Sequence, residues 1–197
     1  RDRPPPAGAL PTAALWAAPR LTSARSWLLA EPLAEPPAYS MAAELGGSAQ
    51  FGSEARAPAA ELLGADVEWL PEQGAHGALR VTHYWRALRP IYTPYTVFVH
   101  LLDGAGQTHG QWDSEPLAGT YPTDVWPAEG VDGRRIIRDS TLVPAYGALP
   151  PDAQLALGLY DVATRTRLPA YDAEGARLPD DRVLIKVDEG RMTEDGF

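Results

Sequence analysis

The chain contains no cysteine. Disulfides, thiolate metal sites and cysteine nucleophiles are therefore excluded, while the redox compartment stays open. Asparagine is absent too, so there is no N-glycosylation acceptor. Lysine is almost absent: Lys186 stands alone against sixteen arginines. Missing Asn and Cys fit a thermophilic source, scarce lysine runs against one, and a GC-rich genome accounts for all three. No Lys/Arg run occurs and the formal net charge is −9. Such a chain is a poor partner for nucleic acid or an anionic membrane surface. No apolar run reaches ~18 residues, so no transmembrane helix is expected within this stretch, and no signal peptide is visible. The first methionine is Met41. The chain thus reads as a piece of a longer protein or a processed product, with any membrane anchor upstream.

What is present is enough for a core. Of 197 residues, 45% are hydrophobic and 22% charged, which suits one domain with an extension rather than a disordered chain. Residues 1–48 carry eight of the twenty prolines, and their charges cancel, so the whole −9 lies in residues 49–197. This part is expected to be a Pro/Ala-rich linker. Short helical turns fit "PTAALWAAP" and "LTSARSWLLAEPLAEPP", and Trp16 and Trp27 are expected to pack onto the domain behind. "ELGGSAQFG" marks a boundary. A β-sandwich domain is expected over 49–190 and a tail over 191–197.

From residue 50 the signals are β. "GALRVTHYWRAL" (77–88) puts Leu79, Val81, His83, Trp85 and Ala87 on one face, the two-residue period of a strand. "AQLALGLYD" (153–161) alternates Leu155, Leu157 and Leu159 with Ala156, Gly158 and Tyr160, and "RVLIKV" (182–187) lines up Val183, Ile185 and Val187. "YTVFVHLL" (95–102) is apolar on both faces, as a central strand requires. "RRIIRDSTLV" (134–143) and "ADVEWL" (65–70) are weaker candidates. Pro/Gly/Asp clusters separate these segments. About eight strands without helical patterns between them predict an all-β fold: an antiparallel sandwich of jelly-roll or immunoglobulin-like type.

"VFVHLLDGAGQTHGQWD" (97–113) has glycines like those of a phosphate loop, but no helix pattern follows them and there is no G-K-[ST]. A hairpin explains it better. With an even loop centred on Gly104–Ala105, His100 opposes His109. Phe98, His100, Leu102, Gln107, His109 and Gln111 share one face, and Val97, Val99, Leu101, Thr108 and Trp112 share the other. The second face is the better core. The first is half polar and suits a ligand: the imidazoles could serve only the sheet, bind sugar hydroxyls with Phe98 beneath, or hold a metal if a third ligand were supplied.

No H-E-x-x-H, G-x-S-x-G or calcium-loop spacing occurs, and no catalytic or metal-binding constellation stands out. Trp69, Trp85, Trp112 and Trp126 suit core packing, or alternatively a sugar-stacking platform. "AGTYPTDVWPAEGVDG" (118–133) has four breakers and no period. It predicts an ordered loop with a turn at Tyr121-Pro122, a side-chain-to-backbone bond from Thr123 or Asp124, and Trp126 folded back as a plug. Candidate ligand-binding residues are His100, His109, Gln111, Tyr121 and Trp126.

Four phrases occur in order: "LRVTHYWRAL", "YTVFVHLLDGAGQTHGQWDSEPLAGTYPTDVW", "LALGLYDVATRTRLPAYDAEGARL" and "DDRVLIKV". Over about residues 50–188 the chain resembles the soluble C-terminal β-domain of bacterial membrane glycosyltransferases of the dolichyl-phosphate-mannose–protein mannosyltransferase-like group. That resemblance implies a non-catalytic accessory domain on the extracytoplasmic side of the membrane. Its partners would be the upstream transmembrane part and a glycan acceptor, with no cofactor. The group's catalytic carboxylate and polyprenyl-phosphate donor site lie in membrane-associated loops absent here, so no catalytic residue is carried over. The alternative is a structural or protein-interaction sandwich without a small-molecule ligand. A secreted jelly-roll hydrolase is weaker still, for want of a catalytic constellation.

Overall fold

Strict alternation, β-branched residues and closely spaced turn signals leave sheets as the way to bury this chain's apolar side chains. The computed structural model describes residues 29–30, 39–45, 58–127 and 136–187. Among them are β1 (Leu29–Ala30), β2 (Tyr39–Leu45), β3 (Ala60–Leu70), β4 (Ala78–Ala87), β5 (Thr96–Leu102) and β6 (Thr108–Ser114). There follow β7 (Ile136–Pro144), β8 (Gln154–Asp161), β9 (Thr166–Arg167), β10 (Ala170–Tyr171) and β11 (Val183–Lys186). One sheet has the order β1-β7-β4-β3-β2-β10. The other has β11-β8-β5-β6, with β9 added beside β8. All pairings are antiparallel. The fold is the expected all-β sandwich.

The inner faces are the predicted ones. Leu79, Val81, Trp85 and Ala87 of β4 meet Val97, Val99 and Leu101 of β5 and Leu155, Leu157 and Leu159 of β8 in one core, all fully buried. Burying a side chain of this size stabilises by about 1.5–3 kcal/mol, so this alternation sets which face of each strand points inward. Strand β5 lies between β8 and β6, the central place its two apolar faces require.

Two differences from expectation have local causes. β3 starts at Ala60 rather than 65 because its register slips between Leu62 and Gly64. A bulge of this kind inverts the in–out phase: Ala60 and Leu62 are buried before it, Ala65 and Val67 after it, so no single alternation runs through "AELLGADVEWL". The expected boundary at residue 48 also falls past β2, which pairs with β3, while β1 pairs with Ile136 and Ile137 of β7. The sandwich thus takes two strands from the segment expected to be linker. The rest of that segment, including Trp16, Trp27 and the first expected helical turn, lies outside the described residues, as does the tail.

The 115–127 connection closes one end of the core. Thr123 Oγ1 donates to the Thr93 carbonyl (2.7 Å) and accepts the Tyr95 N–H (2.8 Å), so it joins two loops as the side-chain bond expected there. Trp126 is 4% exposed and its Nε1 donates to the Tyr121 carbonyl at 3.0 Å. Its ring stands 6.4 Å from that of Trp85. The plug is present.

Asp139, on the inner face of β7, accepts the Leu117 N–H at 3.1 Å. Leu117 and Ala118 have φ of 54° and 52°, a left-handed conformation that costs non-glycine residues of order 1–3 kcal/mol each. The Asp139 bond helps hold them there. Across from Asp139 in register lies His83, fully buried. The Trp85 Nε1–H donates to its Nδ1 at 2.7 Å, and its Nε2 is 3.9 Å from the Asp139 carboxylate without a hydrogen bond. Burial pushes the imidazole pKa down, and Asp139 opposes this only in part.

Candidate functional site: the outer face of β5, β6 and β8

The Asp103–Gln107 turn corrects the expected hairpin. Asp103 N–H donates to the Gln107 carbonyl, and Gly106 N–H to the Asp103 carbonyl. The Asp103 side chain also accepts the Ala105 and Gln107 N–H groups at 3.0 and 2.8 Å. The loop between the paired ends is therefore Gly104-Ala105-Gly106, an odd number of residues, closed by Gly106 at φ 82°. This is the three-residue turn that places glycine in the left-handed position. Register then slips once more, from Leu102 opposite Thr108 to Leu101 opposite Gly110, which leaves His109 as the extra residue of a bulge.

The opposition of His100 and His109 is thereby overturned. His100 faces Gln111, and His109 bonds Asp103 at 3.0 Å in the turn. The turn's backbone N–H groups, Gln107 first, together with His109 hold the Asp103 carboxyl below its usual range. The two one-residue slips add to an even number, so the strand bodies keep their expected faces. Val99 opposes Trp112 on the core side, while Phe98 opposes Asp113 and His100 opposes Gln111 on the outer side.

That outer side carries an open depression of about 430 Å³, lined by Phe98, His100, Asp113, Tyr160, Val162, Arg165 and Arg167. Its floor follows from the β8 sequence. On the face opposite the three leucines stand Ala156, Gly158 and Tyr160, so two small residues sit between larger neighbours. The Phe98 ring leans across Gly158: a Cβ there would lie 2.5 Å from Phe98 Cζ. Phe98 is 1% exposed. It is packed by His100 (5.2 Å between ring centres), by Tyr160 (6.4 Å), and by the Arg167 guanidinium, 4.6 Å above its centroid. It supports the site rather than offering a stacking face.

Gly158→Ala is expected to displace that ring, because the Asp181 carbonyl, at 3.3 Å, leaves the new methyl little alternative. Overpacking of this kind typically costs about 1–3 kcal/mol. Chemical denaturation measures it, and a midpoint equal to that of the parent would show that Phe98 is not seated over Gly158.

The polar rim is what a ligand would meet. His100 Nε2 and Asp113 Oδ1 are 2.9 Å apart, with both side chains partly exposed. Burial, then the negative charge of Asp113, raises the Tyr160 phenol above its ordinary 10.0, so its hydroxyl keeps its proton at neutral pH. Arg167 donates to the Asp180 carbonyl at 3.0 Å, and exposed Arg165 occupies the β8–β9 turn at φ 57°. Such a rim can bind hydroxyls through a carboxylate, an imidazole and a phenol, and anionic groups through guanidinium forks.

Of the candidates drawn from the sequence, His100 lines this depression and Gln111 is exposed beside it on β6. His109 is taken up by the turn. Tyr121 and Trp126 are buried in the core and offer no ligand face. Asp113, Tyr160, Arg165 and Arg167 carry no shared sequence signal, since they belong to β6, β8, the β8–β9 turn and β9. The Ala156/Gly158/Tyr160 alternation was the available hint of a hollow on this face. Among the described residues no three His, Asp or Glu side chains group as metal ligands, and no helix is long and apolar enough to cross a membrane. No family model, no curated protein and no solved structure matches the chain.

Proposed function

We propose that this sandwich is a non-catalytic, extracytoplasmic accessory domain of a membrane glycosyltransferase, and that it binds carbohydrate in the depression beside His100. The observation that carries the binding is the rim: a carboxylate, an imidazole and a phenol converge over a rigid aromatic floor. Hydroxyl-rich ligands are recognised by such mixed donors and acceptors. The resemblance of residues 50–188 to the mannosyltransferase-associated domains supplies the glycosyltransferase context. The non-catalytic role rests on that resemblance, in which the catalytic carboxylate belongs to the membrane-associated loops.

A glycan array probed with the purified chain tests this. We expect a signal that His100→Ala combined with Asp113→Ala reduces at least tenfold while the melting temperature is retained. An undiminished signal in that double variant would move the site elsewhere. A protein-interaction module is the competing reading. It is favoured by Tyr92 and Val125, 86% and 50% exposed, on the two loops that Thr123 joins. Absence of any array signal would favour it.

A further inference from the structure

The charges of the rim narrow the ligand further, given the carbohydrate reading on which this step rests. Arg165 and Arg167 contribute two positive charges and Asp113 one negative; counting histidine as neutral, the lining is +1 in a protein of formal charge −9. At physiological ionic strength charges farther away than about 8 Å are largely screened, and the nearby Asp180 and Asp181 are paired with Arg182 and Arg177, so the lining dominates the local balance.

Neither arginine forms a direct ion pair among the described residues. No carboxylate lies within ion-pair distance of Arg165 or Arg167 among the described residues, whereas nearby Arg177 and Arg182 pair with Asp181 and Asp180. The bond from Arg167 goes to a neutral carbonyl, and its guanidinium lies over the Phe98 ring. Its guanidinium is thus oriented in advance, with no carboxylate bonded to it, although the Asp181 carboxylate lies close enough to feel its charge. Guanidinium forks match carboxylates in a bidentate manner. A monoanion balances +1, whereas a dianion would leave excess negative charge beside Asp113.

We propose that the depression takes an acidic saccharide, its uronate carboxylate bound by Arg165 and Arg167 and its hydroxyls by Asp113, His100 and Tyr160. Asp113 and the arginines then divide the ligand by chemistry: the carboxylate accepts hydroxyl protons and the guanidinium groups donate to a carboxylate.

The test uses the full chain, a panel of uronate-containing oligosaccharides, and their methyl esters, which keep every hydroxyl and lose the charge. Isothermal titration should give at least tenfold tighter binding of the acids. Arg165→Gln, at an exposed position, should bring the acid down to the affinity of its ester and leave ester binding in place. Arg167→Gln should do the same, with a melting curve to confirm that Phe98 stays packed. Asp113→Ala should weaken both forms. Equal affinity for acids and esters, or an Arg165→Gln variant that still prefers acids, would overturn this assignment while leaving carbohydrate binding intact. If neither form binds and neutral glycans also fail on the array, the carbohydrate reading falls together with it.

Discussion

Trp126→Ala is expected to lower the melting temperature by about 10 °C or more. Truncating a buried tryptophan costs ~3–5 kcal/mol, and each kcal/mol shifts the transition of a domain of this size by roughly 2–4 °C. Three features of Trp126 place it at the costly end. It is 4% exposed, its ring packs at 39° to that of Trp85, and its Nε1–H is used by the Tyr121 carbonyl. It also closes a segment otherwise held by side-chain bonds such as that of Thr123. Trp126→Phe keeps most of the apolar surface and should lose only ~1 kcal/mol with the hydrogen bond. An unchanged melting temperature in Trp126→Ala would refute the plug.

The second large effect is an acid sensitivity centred on His83. Its Nδ1 accepts the Trp85 Nε1–H at 2.7 Å, so the proton of the neutral ring resides on Nε2. Charging the ring would place one N–H against another inside the core. Burial therefore holds the folded pKa below 6.5, the value of the free group. In that interval the unfolded chain binds the proton and the folded one does not. Stability rises with pH there and falls as acid is added, by up to about 1.4 kcal/mol per pH unit from this one group. The carboxylates act in a separate window: Asp103, held down mainly by the Gln107 N–H, and Asp181, held down mainly by Arg177, lie below 3.8. Their contribution is present above that value and lost as pH falls through their lowered ones. His83→Gln keeps an acceptor for Trp85 and does not titrate. Denaturant midpoints measured between pH 7 and pH 5 should depend less steeply on pH in the variant, by at most one proton. Identical slopes would mean that His83 is not the buried neutral group.

Much of the architecture was legible because burial and alternation are local properties of a strand. "GALRVTHYWRAL" became β4 within a residue at each end, and its even-spaced apolar side chains are the buried ones. β3 was cut short in the sequence because the Gly64 bulge inverts its phase, and a two-residue period is recognised only while phase persists. β2 escaped notice beside the prolines that mark its segment as linker. "YSMAAEL" has little β propensity, and it pairs because β3 offers an edge.

The candidate site divides along the same line. The chain by itself determined that the face of Phe98, His100 and Gln111 lies outside and that of Val99 and Trp112 inside, since that choice depends on parity and hydrophobicity. It also placed a turn between Asp103 and Gln107 and a buried tryptophan at 126. Tertiary structure decided the rest. Loop length and a bulge each shifted register by one residue, and these shifts separated His100 from His109 and brought it opposite Gln111. Side chains from β6, β8, the β8–β9 turn and β9 were then gathered around Phe98. Positions 98, 113, 158 and 167 are neighbours because adjacent strands stand about 4.7–4.9 Å apart, a proximity created by long-range pairing that no local pattern in the chain records.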